Sequence, residues 1–471
     1  LYSNMGNTHY SQGGYSKALE FYNKALAIRQ AIHGDSNSPD IGTLNNNVGN
    51  VYKAQRDYSK ALEYHNKALA IRRSIHGDSN HPDIASSYNI LGAIYKEQEQ
   101  YSKALECYNK SLVIQLAVHG DRKDPAISSL YSNIGNTHYS QGGYSKALEF
   151  YNKALVIRQA IHGGSNNPHI ATLNNNVGNV YKAQKDYSKA LEYHNKALAI
   201  RRSIHGDSNH SDIASSYNAL GSIYNAQEQY SKALECYNKS LVIQLAVHKN
   251  GNDTDIALSY GNMGNIHYSQ GENSKALECY NKSLAIRLAI YGDANNSSIG
   301  TSYNNMGNVY KAQKDYSKAL EYHNKALAIR RSVHGDSNHP EIASSYNILG
   351  SIYNEQKQYS QALECYSKCL AIRLAVHGNS NDPAIASTYS DMAMVYKAQE
   401  EYSKALECYN KSLASRQAVH GNSNDPAIAS TYGNMGNIYY SQNKHSKALE
   451  CYNESLAIRL AIYGDTNNSS I

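Results

Sequence analysis

Residues 82–120 read PDIASSYNILGAIYKEQEQYSKALECYNKSLVIQLAVHG, and this stretch decides the fold. Pro82 and Asp83 mark a helix start, because proline suits the first helical position and an acid there meets the positive end of the helix dipole. Ile84, Tyr88, Leu91, Gly92 and Tyr95 then fall at helical spacing on one face. Gln98 to Gln100 is polar and makes a turn. Tyr101, Ala104, Leu105, Tyr108 and Leu112 form the face of a second helix, with Cys107, Ser111, Ile114 and Val118 as an adjoining stripe. That helix is apolar over a wide arc and needs cover from more than one neighbour. It ends at His119-Gly120, where glycine accepts the left-handed conformation past a helix end and histidine complements the dipole.

The same unit recurs along the whole chain. Gly6, Gly49, Gly92, Gly135, Gly178, Gly221, Gly264, Gly307, Gly350 and Gly436 share a period of 43 residues, with Ala393 at the tenth position. Twelve residues after each comes alanine, from Ala18 through Ala61 and Ala104 to Ala448, without insertion. The repeats are expected at 1–43, 44–86, 87–129, 130–172, 173–215, 216–258, 259–301, 302–344, 345–387, 388–430 and 431–471 of a single array. A longer period lies above this one. Leu1–Gly34 differs from Leu130–Gly163 only at Met5/Ile134 and Ala27/Val156, so blocks of 129 residues were copied whole. Each unit is one supersecondary element that cannot bury its apolar surface alone, and stacking neighbours covers it.

Composition excludes several alternatives. At 471 residues, a repeat array or several domains are expected rather than one core. No run approaches the ~18–20 apolar residues of a membrane span. The net charge of +6 is spread along the chain, whereas nucleic-acid binding concentrates basic residues in a stripe. We therefore expect neither nucleic acid nor membrane as a partner. The chain opens on Leu-Tyr-Ser-Asn without a secretory signal, and we expect a cytoplasmic location. Leu1 enters midway through a first helix and Ile471 stops where another should start, so the sequence reads as a piece of a longer protein.

Tyr88, Leu91, Gly92, Tyr95, Ala104 and Tyr108, with Ser111 at the second small position, resemble the tetratricopeptide repeat. Asn45 and His65 in the second repeat depart from its aromatic positions. The string ALAIRRSIHGDSNHPDIASSYN (68–89) resembles the extended repeats of kinesin light chains. The resemblance implies an all-α fold, a right-handed α-solenoid of eleven helix–turn–helix units. It also implies a non-catalytic scaffold that binds extended segments of partner proteins. Two alternatives are the cargo-binding subunit of a microtubule motor and the regulatory or targeting arm of an enzyme whose catalytic domain lies elsewhere. Candidate assemblies are accordingly motor and signalling complexes.

In that family the first helices line a concave groove, so residues around the signature glycine are expected to face a ligand. Two places before it stand Asn4, Asn47, Asn133, Asn176, Asn262, Asn305 and Asn434; one place after it stand Asn7, Asn50, Asn136, Asn179, Asn265, Asn308 and Asn437. Three residues apart on a helix, each pair lies side by side. A carboxamide has a donor and an acceptor and would pair with both groups of an extended peptide bond. Four places after the glycine, Lys53, Lys96, Lys182, Lys311 and Lys397 would meet acidic side chains, and Tyr10, Tyr139, Tyr268 and Tyr440 offer flat contacts. The expected ligand is an extended, partly acidic peptide.

We find no nucleotide-binding, metalloprotease or hydrolase motif, and we expect no catalytic residue, metal or cofactor. Cys107, Cys236, Cys279, Cys365, Cys408 and Cys451 alternate with Phe21, Tyr64, Phe150, Tyr193 and Tyr322 at one repeat position, so they read as packing residues. Cys365 and Cys369 share a helical face without a matching pair nearby in sequence. The histidines read as helix caps, except His65, His194 and His323, which replace the packing aromatic.

Overall fold

The computed structural model describes residues 1–33, 38–77, 79–120, 123–163, 166–206, 208–248, 251–292, 296–335, 338–378, 382–420 and 425–464. Gly34, which closes the copied stretch, and Ile471, at the end of the sequence, lie outside them. The described residues are helical throughout and divide into two compact units, Leu1–Ile243 and Gln244–Ile471.

In the first unit the first helices are α1 (Tyr2–Ser11), α3 (Pro39–Ala54), α5 (Pro82–Glu97), α7 (Pro125–Ser140), α9 (Pro168–Ala183) and α11 (Ser211–Ala226). Their partners are α2 (Tyr15–His33), α4 (Tyr58–His76), α6 (Tyr101–His119), α8 (Tyr144–His162), α10 (Tyr187–His205) and α12 (Tyr230–Val247), in which the division falls. In the second unit the first helices are α13 (Thr254–Ser269), α15 (Ser297–Ala312), α17 (Pro340–Glu355), α19 (Pro383–Ala398) and α21 (Pro426–Ser441). They pair with α14 (Asn273–Tyr291), α16 (Tyr316–His334), α18 (Tyr359–His377), α20 (Tyr402–His420) and α22 (His445–Tyr463).

Local chemistry sets the ends of these helices. All seven prolines stand at the first position of a first helix, where the missing N–H has no helical partner to lose. Asp124, Asn167, Asp253, Asn296, Asp382 and Asp425 cap first helices by accepting the backbone N–H two residues on, at 2.6–2.9 Å. At the other end one expectation is corrected. Gly163 and Gly378 adopt the left-handed conformation expected after a second helix. Gly77, Gly120, Gly206, Gly292, Gly335 and Gly464 instead combine positive φ with ψ between -152° and -176°. That region is essentially closed to any residue with a Cβ, so the chain leaves the helix in an extended direction.

Packing within a repeat rests on two small residues. The eleven alanines from Ala18 to Ala448 are at most 2% exposed. The signature glycine lies against the ring sixteen residues later: a Cβ built on Gly49 falls 2.7 Å from His65 Nε2, and one on Gly92 falls 2.8 Å from the Tyr108 ring. A first helix can thus seat an aromatic knob directly on its backbone. Ala393 breaks the rule, and Tyr409 beside it is buried with no partner for its hydroxyl. The arc expected on α6 is only partly covered: Ser111 is buried, whereas Val118 and the neighbouring Val113 are exposed.

Successive repeats are joined by a recurrent arginine. Arg72, Arg201, Arg287, Arg330 and Arg373 each reach from a second helix to the next first helix. Each donates to a Ser or Thr hydroxyl fifteen residues on and to a backbone carbonyl eleven residues on.

The turn inside each repeat holds one residue at positive φ. Gly13, Gly142 and Gly271 fill it in three repeats, and Arg56, Glu99, Lys185, Glu228, Lys314, Lys357, Glu400 and Asn443 at φ 58–62° in the others. A side chain there is strained by roughly 1–2 kcal/mol, partly offset by the chain entropy that glycine would lose. Lys185→Gly is therefore expected to stabilise the protein by about 0.5–1 kcal/mol in chemical denaturation.

Candidate functional site

The candidate residues line the row of first helices in each unit, where α5 touches α7, α7 touches α9, α13 touches α15 and α17 touches α19. In the first unit these are Asn4, Asn7, Asn47, Asn50, Asn133, Asn136, Asn176 and Asn179. In the second they are Asn262, Asn265, Asn305, Asn308, Asn434 and Asn437. Most are half-buried between neighbouring first helices; Asn4, Asn7, Asn265 and Asn437 are exposed. The geometry brings some of them together. Asn176 Nδ2 donates to Asn136 Oδ1 at 3.3 Å, and Asn305 Nδ2 to Asn265 Oδ1 at the same distance. Asn133 Nδ2 donates to Asn89 Oδ1 at 3.0 Å. Part of the carboxamide row thus bonds repeat to repeat.

A second partition follows the residue that faces the signature glycine. In the first, fourth, seventh and eleventh repeats it is tyrosine, and its hydroxyl donates to the asparagine after the glycine. Tyr22 donates to Asn7, Tyr151 to Asn136, Tyr280 to Asn265 and Tyr452 to Asn437, at 2.7–2.8 Å. Where it is histidine, the bond moves one helical turn back: Nδ1 of His65 meets Asn46 Oδ1 and that of His194 meets Asn175 Oδ1, both at 3.0 Å. The asparagine after the glycine is then released. Asn50, Asn179 and Asn308 have no hydrogen-bond partner among the described residues, and neither do the side chains of Asn4, Asn47, Asn262 and Asn434.

His65 and His194 are held neutral by this arrangement: an amide oxygen accepts from Nδ1–H, so the lone pair sits on Nε2, which is buried against the glycine without a partner among the described residues. His323 is buried against Gly307 in the same way but lacks this bond, since Asn304 Oδ1 has no partner among the described residues. Burial, reinforced by the charges of Lys53 and Arg72, pulls the pKa of His65 down to about 4. Burial with Lys182 and Arg201 does the same to His194, and burial with Lys311 and Arg330 to His323, both again to about 4.

The lysines of the row fall into two classes. Lys311 Nζ is committed to Glu355 at 3.1 Å and Ser351 Oγ at 2.8 Å. Lys182 donates to Ser222 Oγ at 2.8 Å, and burial lowers its pKa. Lys53, Lys96, Lys182 and Lys397 have no carboxylate partner among the described residues. Of the tyrosines, Tyr139 and Tyr268 are half-buried, Tyr10 is just over the edge of exposure, and Tyr440 is 61% exposed. In the tenth repeat Asp391 takes the place of the asparagine, and burial raises its carboxyl pKa. In the eleventh, Asn434 and Asn437 line a hollow of 570 Å³ with Tyr452, Ser455 and Arg459.

Of the six cysteines expected to pack, Cys279, Cys408 and Cys451 are buried and Cys107, Cys236 and Cys365 half-buried; Cys369 is buried too, and burial raises the thiol pKa of Cys279, Cys369, Cys408 and Cys451. No described helix is long and apolar enough to cross a membrane.

Sequence reasoning missed the tyrosine–asparagine bond and the bond that replaces it in the histidine repeats. The signal was present, because Tyr22 follows Asn7 by fifteen residues just as Tyr151 follows Asn136.

No curated protein matches the sequence. Solved structures are similar to it. One is a signal transduction ATPase with numerous domains and a tetratricopeptide repeat sensor, from Pyrococcus horikoshii. It has a TM-score of 0.55 at 15% identity, over 82% of this chain and 55% of that one. BtubC (BKLC) from P. vanneervenii has a TM-score of 0.41 at 25% identity, over 50% of this chain and 91% of that one. A protein from Podosopora anserina, described as a kinesin light chain with nearly identical TPR-like repeats, has 0.40 at 20%, over 45% and 98%. The family model described as tetratricopeptide repeat matches residues 1–74, 40–117, 83–160, 126–203, 169–246, 212–289, 298–375 and 384–461. With its paired helices and its signature residues in their packing roles, the chain belongs to the tetratricopeptide repeat family.

Proposed function

We propose that this protein is a binding scaffold that holds extended, partly acidic peptide segments of its partners along the first helices. The observation that carries the reading is the release of Asn50, Asn179 and Asn308. In the first, fourth, seventh and eleventh repeats the equivalent carboxamide oxygen accepts from a tyrosine hydroxyl, whereas in the second, fifth and eighth both its donor and its acceptor remain for a peptide bond. In the second and fifth, the lysine three residues later on the same helix face completes the set: Lys53 follows Asn50 and Lys182 follows Asn179, each without a carboxylate partner among the described residues. A peptide acid would supply one. Contacts would then recur every third repeat, in step with the 129-residue block.

A cargo adaptor of a motor is one special case of this reading, supported by the string at 68–89. A sensing arm, like the tetratricopeptide repeat sensor of the Pyrococcus horikoshii ATPase, is another; the two differ in what is joined to the array. The seven cysteines are all free thiols, which suits a reducing, cytoplasmic setting.

The test compares two asparagines of identical sequence position. Asn179→Ala with Lys182→Ala should weaken capture of acidic peptides from an array by about tenfold or more while leaving the unfolding midpoint nearly unchanged. Asn136→Ala should do the reverse, costing about 1–2 kcal/mol by orphaning the Tyr151 hydroxyl and sparing binding. Equal binding losses in both variants would remove the distinction on which the proposal stands.

A further inference from the structure

The junctions between repeats hold a donor set that occurs three times, away from the carboxamide row. His76 ends α4, while His81 caps α5 and Asp83 is its second residue. One ring nitrogen from each histidine and a carboxylate oxygen lie within 4.8 Å of one another. His205, His210 and Asp212 repeat the set at the start of α11, and His334, His339 and Glu341 at the start of α17. Asp83 Oδ2 is 3.9 Å from His76 Nε2 and 3.7 Å from His81 Nδ1. The second set gives 3.7 and 3.8 Å, and Glu341 Oε2 is 3.3 Å from His334 Nε2 in the third. The two imidazoles are stacked in every case, with centroids 3.4 Å apart.

Helix capping alone does not call for this set. His81, His210 and His339 do cap, since Nδ1 accepts the backbone N–H two residues on at 3.2–3.3 Å. Asp and Asn perform the same task at shorter distances in six other repeats. Among the described residues, only the histidine-capped helices join two imidazoles to a carboxylate, and that carboxylate survives the change from Asp to Glu at Glu341. The capping bond also fixes the tautomer. A nitrogen that accepts a hydrogen bond carries its lone pair, so Nδ1 is unprotonated, and a metal ion would take that lone pair over from the backbone N–H, which the capping bond would give up.

We propose that each of these junctions binds a divalent transition cation of the zinc type through two imidazole nitrogens and one carboxylate oxygen, with water in the remaining positions. Imidazole with carboxylate suits zinc, copper or nickel far better than magnesium or calcium. Metal–ligand bonds of about 2.0–2.2 Å put tetrahedral ligand atoms about 3.3 Å apart. The carboxylate has to close by about half an ångström, and the stacked imidazoles have to turn so that both in-plane lone pairs point at the ion. The sites are open to solvent, as the histidines are half-buried or near the surface and Asp83 is exposed. A bound ion would tie the last turn of one repeat to the first turn of the next, beside the arginine that already links them.

The experiment is equilibrium dialysis of the full chain against Zn²⁺ alone, with Ca²⁺ as comparator. The triple variant His81→Asn, His210→Asn and His339→Asn is measured alongside. Asparagine keeps the cap, as Asn167 and Asn296 do, so helicity should be unchanged. Loss of an outer-shell partner already costs about 10- to 100-fold in metal affinity, so loss of a direct ligand should cost at least that. The expected result is three Zn²⁺ bound per wild-type chain, none of them at these junctions in the variant, and a Zn²⁺-dependent rise in Tm seen only for the wild type. Failure of the wild type to take up Zn²⁺, or equal uptake by the folded variant, would overturn the assignment.

Discussion

Lowering the pH from about 7 to about 5 should destabilise the protein by roughly 2 kcal/mol for each of His65, His194 and His323. The sign follows from which state takes the proton. Unfolded, these imidazoles titrate near their ordinary value of about 6.5, whereas folded they hold out to about 4. Below the unfolded value, unfolding therefore binds a proton that the native state refuses, and stability falls until the folded group titrates too. Above the unfolded value both states are neutral and stability is flat with respect to these groups. The burial is nearly complete, at 1% exposure for each residue, so solvent does not screen the effect. His65 and His194 lie in Leu1–Ile243 and His323 in Gln244–Ile471, so the first unit should lose about twice as much. The check is urea denaturation at both pH values for the wild type and for His65→Tyr, His194→Tyr and His323→Tyr together. Tyrosine fills this place against glycine in other repeats, as Tyr108 does against Gly92, and it does not titrate in this range. The excess acid sensitivity should vanish in the variant, and an unchanged pH slope would show that the histidines are not its source. The same variant offers a hydroxyl to Asn50, Asn179 and Asn308, so it should also weaken peptide capture if those carboxamides bind.

What could be read from sequence depended on whether a feature is local to one helix. Proline at the start of first helices, alanine on second helices and the polar turn at Gln98 to Gln100 all act within a turn or two, and periodicity exposes them. The glycine-to-ring contact was legible as a position in the repeat, but not as backbone seated under an imidazole. Partner choice among asparagines was harder. Asn136 and Asn179 hold the same position, and only the residue fifteen places on, Tyr151 against His194, separates a satisfied carboxamide from a free one. The histidines at the junctions were read as caps because the cap is a local bond. Convergence of His76 with His81 and Asp83 depends on how the chain turns between two helices, which no helical period encodes.

The linking arginine shows the same limit and carries the second large effect. Arg201→Ala should cost about 3 kcal/mol, although the string it belongs to reads only as a family signature. Its Nη1 donates to the Asp212 carbonyl at 3.1 Å and to Ser216 Oγ at 2.6 Å, so two charge-assisted hydrogen bonds join α10 to α11. Burial lowers the pKa of Arg201, but a guanidinium stays charged at any pH the fold survives. Truncation therefore removes two strong bonds, and each such bond to a charged group contributes about 1.5–3 kcal/mol. Ser216 Oγ is less affected, because it still donates to Asp212 O at 3.2 Å. In a stacked array stability is a sum of repeat terms and nearest-neighbour terms, and this arginine contributes to a neighbour term. The loss should appear as uncoupling. Amide protection should fall on both sides of the α10–α11 junction, and the urea transition should broaden rather than simply shift. Arg201→Lys should recover less than half of the loss, since an ammonium on a flexible stem lacks the rigid planar group that aims both Nη1–H bonds. A sharp transition displaced by less than about 1 kcal/mol would mean that apolar packing between α10 and α11 holds the junction without the arginine.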